Sequence, residues 1–270
     1  MKIVLKGLHK MKRNCLIIGA PGSDTKGNYL EGVNRDIDTF QTFLQSAGGG
    51  AWNSSEIDII INPRRSLLRS RLTSRNAYDF TITFFSGHGG ICNHDNSTYL
   101  ALNNLEEEID VNELVNGSDR QLIIVDSCRS YYKRAATLAG DAMMKAESYT
   151  RDSRLLARAL YDSHLEASEH GCIVAYAASE GEAANDTTEG GAFTQALLRS
   201  GSEFSRGGNQ QGILGFNMAF TAAKNEVSQK YRSQNPCIVG STRRRYWFPF
   251  AVKIPQGNQI EASGRYSRYF

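Results

Sequence analysis

Two hydrophobic runs in this sequence each end in a side chain that could act in covalent catalysis. The first run reads Asp-Phe-Thr-Ile-Thr-Phe-Phe-Ser-Gly-His-Gly-Gly and places His88 directly after its apolar part. The second reads Gln-Leu-Ile-Ile-Val-Asp-Ser-Cys-Arg and places Cys128 in the same way. A nearby imidazole can accept the proton of a thiol and later protonate a leaving group. The pair therefore predicts covalent thiol catalysis.

The elements that must position these two side chains can be predicted from the apolar runs. Short runs of this kind are typical of parallel strands that are buried on both faces. The predicted strands are Cys15–Gly19, Glu56–Asn62, Phe80–Phe85, Gln121–Val125, Cys172–Ala178 and, as the last strand, 237–239. The predicted helices are Asn34–Ser46 with Asn34 as N-cap, Ser66–Ala77, Phe193–Arg199 and Phe216–Tyr231, with a hairpin near 98–102 and a helical turn or two at 110–116.

This alternation predicts an α/β fold with an about six-stranded, mostly parallel sheet and helices on both faces. Open sheets of this kind place their chemistry at the carboxyl ends of the strands. His88 and Cys128 are therefore expected in one crevice. Two stretches, Tyr131–Ala146 with its basic continuation to Leu165, and Glu180–Gly191, are predicted to be irregular loops near the same sheet edge.

Composition limits the classes of protein to which the chain can belong. With 270 residues, 40% of them hydrophobic and 22% charged, it fits an ordinary globular protein with one large domain. We expect an extension at 1–13, a catalytic domain at 14–250 and a tail at 251–270. A formal charge of +3 is not the basic footprint of a nucleic-acid binder. No apolar run approaches the roughly 20 residues of a membrane helix. Five widely spaced cysteines favour a reducing, cytoplasmic location.

The sequence also resembles a known family through five motifs that occur in order. Ser86-Gly-His-Gly and Asp126-Ser-Cys look like the catalytic dyad of the caspase superfamily, which includes caspases, metacaspases, paracaspases and bacterial caspase-like peptidases. The segments at 30–36, 191–198 and 234–236 are similar to further motifs of metacaspases and their relatives. The resemblance covers roughly residues 14 to 242. It implies a caspase-like sandwich, His88 and Cys128 as catalytic dyad, and backbone N–H groups of Gly89 and Cys128 as oxyanion hole.

The resemblance also implies a substrate preference. In caspases that cleave after Asp, the residue two before the cysteine is a neutral Gln, whereas this chain has Asp126. Asp36 and Ser86 match positions that line the acidic pocket of metacaspases. Two carboxylates at the base of a pocket favour a cation, and Arg can pair with both at once better than Lys can. We therefore expect an endopeptidase that cleaves after Arg, with Lys second.

Regulation is less closely determined by the residues. Metacaspases usually follow the catalytic cysteine with His-Ser-Gly and acidic residues that bind calcium, but this chain continues Arg129-Ser-Tyr-Tyr-Lys-Arg. We therefore expect no cofactor and doubt a role for calcium. A basic stretch lies where relatives carry an activation loop and is either a site of self-cleavage or a solvated basic helix; it contains Lys133, Arg134, Lys145, Arg151, Arg154 and Arg158. Small bacterial relatives often resemble parts of defence or cell-death systems, so an activating protein partner is expected.

Four other interpretations compete with a protease. His88, Cys92, His94 and Cys128 could supply four zinc ligands, but their spacing matches no usual pattern. The segment 19–26 departs from the phosphate-loop pattern, since Asp24 and Gly27 stand where that pattern has other residues. The basic segment 243–247 could contact nucleic acid, although a solvated end of the domain is the stronger reading. The remaining alternative is a caspase-fold scaffold or signalling module with little activity of its own.

Overall fold

A six-stranded sheet forms the centre of the structure, a computed structural model that describes residues 11–92, 96–131, 151–207, 211–240 and 247–254. The strands in these ranges are β1 Arg13–Ala20, β2 Ile57–Ile61, β3 Phe80–Gly87, β4 Gly89–Ile91, β5 Thr98–Ala101, β6 Glu108–Asp110, β7 Arg120–Asp126, β8 Gly171–Tyr176, β9 Asp186–Thr187, β10 Gly190–Gly191, β11 Gly212–Gly215, β12 Cys237–Gly240 and β13 Pro249–Lys253. The helices are α1 Gly32–Gln45, α2 Arg65–Thr73, α3 Arg151–Ala167, α4 Ala192–Arg206 and α5 Phe216–Lys230.

The strand order of the central sheet is β12-β8-β7-β3-β1-β2. The first five strands of the chain that enter it run parallel, and β12 pairs with β8 in the antiparallel sense. The predicted mostly parallel sheet of about six strands is thus confirmed. In the register of β3 with β7, Ser86 lies opposite Asp126. Because His88 and Cys128 each follow two residues later, the two side chains leave the sheet at the same level.

Both faces of the sheet are buried, which explains why its strands are continuous apolar runs. Cys15 and Ile17 of β1 face a large core that also contains apolar side chains of α1, α3, α4 and α5. Leu16 and Ile18 point the other way, into a smaller core closed by α2 and by the three-stranded sheet β4-β5-β6. Helices therefore cover both faces, as the sequence predicts.

The largest difference from the sequence prediction is α3. The continuation to Leu165 was expected to be a loop, but residues 151–167 form a helix. Ala157, Tyr161 and Leu165 recur every four residues and are buried, so they form an apolar stripe that the many basic residues obscure. The basic-helix reading thus holds for Arg151, Arg154 and Arg158, whereas Lys133, Arg134 and Lys145 lie outside the described residues.

Several element boundaries also differ. Helix α1 begins at Gly32, so Asn34 lies within its first turn and Glu31 is the N-cap residue. The predicted last strand is followed by β13, which pairs with β11 beside the large core. The loop predicted at 180–191 contains the short hairpin β9–β10. Strands that the sequence did not predict, such as β9, β10, β11 and β13, are two to five residues long. Strands this short have no clear hydrophobic period, so the sequence pattern gives little signal for them.

A buried arginine anchors the opposite end of the sheet from the cleft. The Arg13 side chain is fully buried, and its guanidinium lies 3.1 Å from an Asp162 carboxylate oxygen of α3 and 3.6 Å from one of Glu56. It also donates two hydrogen bonds to the Gly50 carbonyl, at 3.2 and 3.3 Å, and lies 4.4 Å from the ring centroid of Trp52. Arg13 therefore joins the start of β1, the loop after α1 and helix α3.

We predict that Arg13→Met lowers the free energy of unfolding by about 3 kcal/mol, because it leaves two partly buried carboxylates without one of their cationic partners. Urea denaturation of the two proteins measures the loss. Arg71→Met is the matched control, since Arg71 pairs with Asp58 at 3.1 Å while its side chain is 51% exposed; it should cost less than about 1 kcal/mol. Equal losses of unfolding free energy in the two variants would contradict the role of Arg13 as a buried anchor of the sheet.

Candidate active site

A cleft of about 610 Å³ opens at the carboxyl ends of the central strands. It brings together every residue that the sequence nominated for catalysis or substrate binding: Asp36, Ser86, His88, Gly89, Asp126 and Cys128. Its lining also contains three residues that the sequence reasoning missed, namely Asn28, Ala184 and Asp186. Because β3 and β7 are paired in parallel and end at the same height in the sheet, His88 and Cys128 both reach the cleft from this edge.

The imidazole of His88 is oriented by a backbone carbonyl. Its Nε2 atom lies 2.5 Å from the Asn28 carbonyl oxygen. A carbonyl oxygen only accepts, so Nε2 carries the proton in this contact and Nδ1 is the basic nitrogen. The loop that presents Asn28 is closed by its own bonds, from Leu30 N to Pro21 O at 2.7 Å and from Ser23 N to Asn28 Oδ1 at 2.9 Å. A backbone carbonyl has no signature in residue types, which is why the sequence could not identify it.

The thiol of Cys128 is half-buried and donates a hydrogen bond to the Ala184 carbonyl oxygen at 3.6 Å. Burial raises the pKa of the Cys128 thiol, a backbone hydrogen bond at Ala184 lowers it, and repulsion from Asp126 and Asp186 raises it again. The net direction favours the neutral thiol, so a nucleophilic role of Cys128 would need a base.

The backbone of Gly89 lies against Ser127 and Cys128. A Cβ atom at this position would lie 2.6 Å from Ser127 Oγ and 3.1 Å from the Cys128 carbonyl oxygen, which is closer than a side chain allows. Only glycine fits without a shift of the strand ends. The predicted oxyanion-hole residues, Gly89 and Cys128, are thus neighbours on one wall of the cleft, and their role stays a prediction.

Asp36 and Asp126 form a buried acidic floor. The Asp36 carboxylate is fully buried and accepts hydrogen bonds from Ser86 Oγ at 2.8 Å, from Gly191 N at 2.9 Å and from Gln195 Nε2 at 3.2 Å. Asp126 is 5% exposed and accepts from the backbone N and the hydroxyl of Thr194, at 2.9 and 2.6 Å. Both carboxylates are thus fixed by donors from α4 and the hairpin before it.

The carboxylates of the floor resist ionisation. Burial raises the pKa of Asp36 well above its usual range, and repulsion from Asp126 adds to this. Burial likewise raises the pKa of Asp126 to about 6, with a contribution from Asp186. Asp186 is only half-buried, accepts a long bond from Gly32 N at 3.4 Å, and its pKa is raised by burial while the nearby His88 lowers it. A bound cation would offset these costs.

The hairpin β9–β10 meets the floor with glycine backbone alone. Gly190 has a φ of +119°, and a Cβ atom there would lie 2.2 Å from Asp36 Oδ1. A Cβ atom at Gly191 would lie 2.3 Å from Asp126 Oδ2. Glycine is therefore required at both positions for the main chain to approach the two carboxylates. This is the structural role of Gly190 and of Gly191, the first residue of the segment 191–198.

The competing sites find little support in the described residues. Groups of three or more potential metal ligands are absent from the described ranges, in which Cys92 and His88 lie but His94 does not. The loop at 21–27 lies beside five carboxylates of the cleft, where a phosphate would be repelled. Arg243 and its basic neighbours lie outside the described part. Within that part, every helix is too short or too polar to cross a bilayer.

Comparison with known proteins agrees with this fold. A family model described as the caspase domain, peptidase family C14, matches residues 12–248. The solved structures with a matching fold include caspase-1 from Spodoptera frugiperda, with a TM-score of 0.58 and 13% identity over 96% of this chain and 98% of that chain. At this identity the structural match supports the fold alone. A search of curated protein sequences found no match.

We predict that Asp126→Asn stabilises the protein above pH 6. A folded pKa of about 6 against an ordinary value near 3.9 means that the folded state retains a proton that the unfolded state releases between about pH 4 and 6. Wild-type stability therefore falls as pH rises through this window, by up to about 3 kcal/mol. The amide oxygen can still accept from Thr194.

Urea denaturation between pH 4 and 8 measures this difference. The variant should be more stable than wild type by about 1–3 kcal/mol at pH 8 and nearly equal to it at pH 4. Asp119→Asn is the control, because its side chain is 66% exposed. Parallel pH profiles for wild type and Asp126→Asn would show that Asp126 ionises in the folded state without cost.

Proposed function

Because the chain belongs to the caspase domain family of cysteine peptidases, we propose that it cleaves peptide bonds after Arg, and less readily after Lys, through Cys128 and His88. The observation that carries this proposal is the combination of thiol, imidazole and buried carboxylates in one cleft. Among the residues that the structure describes, the cleft is lined by the cation of Lys26 and by the carboxyl groups of Asp36, Glu106, Glu108, Asp126 and Asp186. This excess of negative charge favours a basic substrate side chain.

In the acylation step, the sulfur of Cys128 gives up its proton to a base and attacks the carbonyl carbon of the scissile bond. His88 Nδ1 is the candidate base, since Nε2–H donates to Asn28. The resulting imidazolium protonates the leaving amine as the C–N bond breaks, which leaves a thioester on Cys128. The carbonyl oxygen of the scissile bond becomes negatively charged in the tetrahedral intermediate. The backbone N–H groups of Gly89 and Cys128 are the candidate donors that would stabilise this charge.

In the deacylation step, His88 acts in the opposite direction. It accepts a proton from a water molecule, which attacks the thioester carbonyl carbon. The C–S bond breaks, the carboxyl product leaves, and the proton returns to sulfur. The fixed contact with Asn28 keeps the same imidazole face towards the cleft in both steps.

The acidic floor supplies the proposed preference for Arg. Asp36 and Asp126 are held apart from solvent, where their raised pKa values record an unfavourable ionisation. A guanidinium between them would relieve that cost and could donate planar, paired hydrogen bonds to the carboxylate oxygens. Lys offers one compact charge and is expected second. Asp186, at the edge of the same cleft, adds to the negative potential.

Control of the enzyme belongs to the proposal as well. Self-cleavage is expected after Lys133, Arg134 or Lys145 rather than within α3, because a protease needs an extended substrate. Arg154 donates to the Gln45 carbonyl and Arg158 pairs with Glu56, so both are fixed on the helix. The raised pKa of Cys128 favours the second candidate, a module that stays silent until a partner reorders its loops. A role in bacterial defence or cell death follows from the family resemblance.

Peptide cleavage by wild type and by Cys128→Ala tests the reaction. We expect wild type to release a fluorophore from peptides that end in Arg, more slowly from Lys and not from Asp, and the variant to be inactive. Cleavage after Asp but not Arg would overturn the pocket assignment, and equal activity of the variant would overturn the mechanism. Calcium or a chelator in the same assay should leave the rates unchanged. Silence in all conditions would favour the partner-controlled module.

Asp186→Asn tests the acidic edge. We expect kcat/KM for an Arg peptide to fall by about tenfold or more, because a charge-assisted contact is lost, while a peptide with a neutral residue before the scissile bond is cleaved at the wild-type rate. The control is Glu106→Gln, since the Glu106 side chain is 88% exposed at the rim. An equal loss of kcat/KM for both peptides would instead indicate that Asp186 acts through His88 and not on the substrate side chain.

A further inference from the structure

The segment Gln234-Asn-Pro before β12 makes contacts that the reaction itself does not explain. Gln234 is fully buried, and its Nε2 atom donates to the Ala177 carbonyl at 3.0 Å. Its Oε1 atom accepts from the backbone N and the side-chain amide of Asn185, at 3.1 and 2.8 Å. One amide thus holds both ends of the stretch between β8 and β9.

The next residue fixes the middle of the same stretch. Asn235 donates through its backbone N to Glu182 Oε2 at 2.7 Å and through its side-chain amide to Glu182 Oε1 at 2.6 Å. Glu182 Oε2 also accepts from Ser179 N at 3.0 Å, and Ser179 Oγ donates to the Asn235 carbonyl at 2.7 Å. Glu182 and Asn235 therefore form a closed pair, which we call the 182–235 clamp.

The stretch that this clamp holds is directly bonded to the chain at the nucleophile. Arg129, the residue after Cys128, donates its backbone N–H to the Glu182 carbonyl at 2.8 Å, and Gly181 N donates to the Arg129 carbonyl at 3.0 Å. Two residues beyond Glu182, the Ala184 carbonyl accepts the Cys128 thiol proton. Asp186 follows at the edge of the cleft.

We propose that Glu182 and Asn235 are positioning residues that fix the loop at 179–186 against the nucleophile, so that Cys128, the Ala184 carbonyl and Asp186 keep their places in the cleft. This inference rests on the proposed peptidase function. The two residues act through Arg129 and Ala184 rather than on the substrate.

The physical reason is the absence of regular structure in this loop. Residues 179–185 belong to no helix or strand of the described chain, so side-chain bonds add to the few backbone bonds that hold them. A displacement of a reacting group by about 1 Å can cost on the order of 10²-fold in rate. Half-burial of Cys128 beneath the loop also raises its pKa, so a loosened loop should lower that pKa by admitting water.

A reciprocal swap tests the clamp. Glu182→Gln removes the carboxylate that receives the Asn235 amide, and Asn235→Asp sets two carboxylates face to face. In the double variant the introduced amide at 182 can donate to the introduced carboxylate at 235, while its oxygen still accepts from the two backbone N–H groups. The double variant also keeps the wild-type net charge. Glu226→Gln is the matched control, because Glu226 pairs with Arg199 on α4 and α5, away from the loop.

Two readouts separate positioning from general stability. The first is kcat/KM for an Arg peptide, which should fall by about tenfold or more in each single variant and return to within about threefold of wild type in the double variant. The second is the pH profile of Cys128 alkylation by iodoacetamide, followed by mass spectrometry of the tryptic peptide 121–129, in which Cys128 is the only cysteine. Its midpoint should move to lower pH in the single variants and return in the double variant.

Cys15 serves as the internal control for folding, because it is fully buried in β1 and should remain unlabelled in any folded variant. If a single variant labels Cys15, Asn235→Ala, which only removes the side-chain bond, replaces it. Single variants with the wild-type alkylation profile, or a double variant no better than the singles, would overturn the proposal. If wild type cleaves no peptide, the proposed function fails, and the alkylation profiles still decide on the clamp.

Discussion

The parallel pairing of β3 with β7 is the interaction on which the rest of this site depends. Its register places Ser86 opposite Asp126. Ser86 donates to Asp36, so this one pair of strands positions residues of the whole acidic floor. Two residues later the same register delivers His88 and Cys128 side by side. A slip of β7 by one residue would turn Asp126 to the opposite face from Ser86, since alternate residues of a strand point in opposite directions. The large buried side chains of both strands, such as Phe84 and Ile124, hold this register.

The acidic floor of Asp36 and Asp126 lowers the stability of the folded chain. Two carboxylates are buried next to each other, which lowers stability at neutral pH, and the structure compensates with many donors and a close glycine hairpin. Such an arrangement has no benefit for folding. Under the proposed function, a substrate that brings a positive charge would recover this energy when it binds.

Much of this organisation could be predicted from the sequence, and the reasons for the failures are physical. The strands of the sheet and the candidate residues at their ends follow from apolar runs that stop at reactive side chains, as in β3 and β7. Helix α3 was missed because its apolar stripe of Ala157, Tyr161 and Leu165 is thin among charged residues. Asn28 and Ala184 were missed because they act through backbone carbonyls, and backbone groups are common to every residue type. Asp186 was missed because its position depends on the hairpin β9–β10, whose strands are only two residues long.

The contact between His88 and Asn28 has a consequence for how the site responds to mutation. The partner of the imidazole is a main-chain oxygen, and every one of the twenty amino acids supplies the same atom. The side chain at 28 therefore affects the orientation of His88 only indirectly, because Asn28 Oδ1 accepts from Ser23 N and so helps to close the loop. Only a change in the path of the backbone, or chemical replacement of the peptide bond, could reveal the contact directly. The orientation of His88 thus depends on the path of the main chain rather than on a side-chain partner of its own.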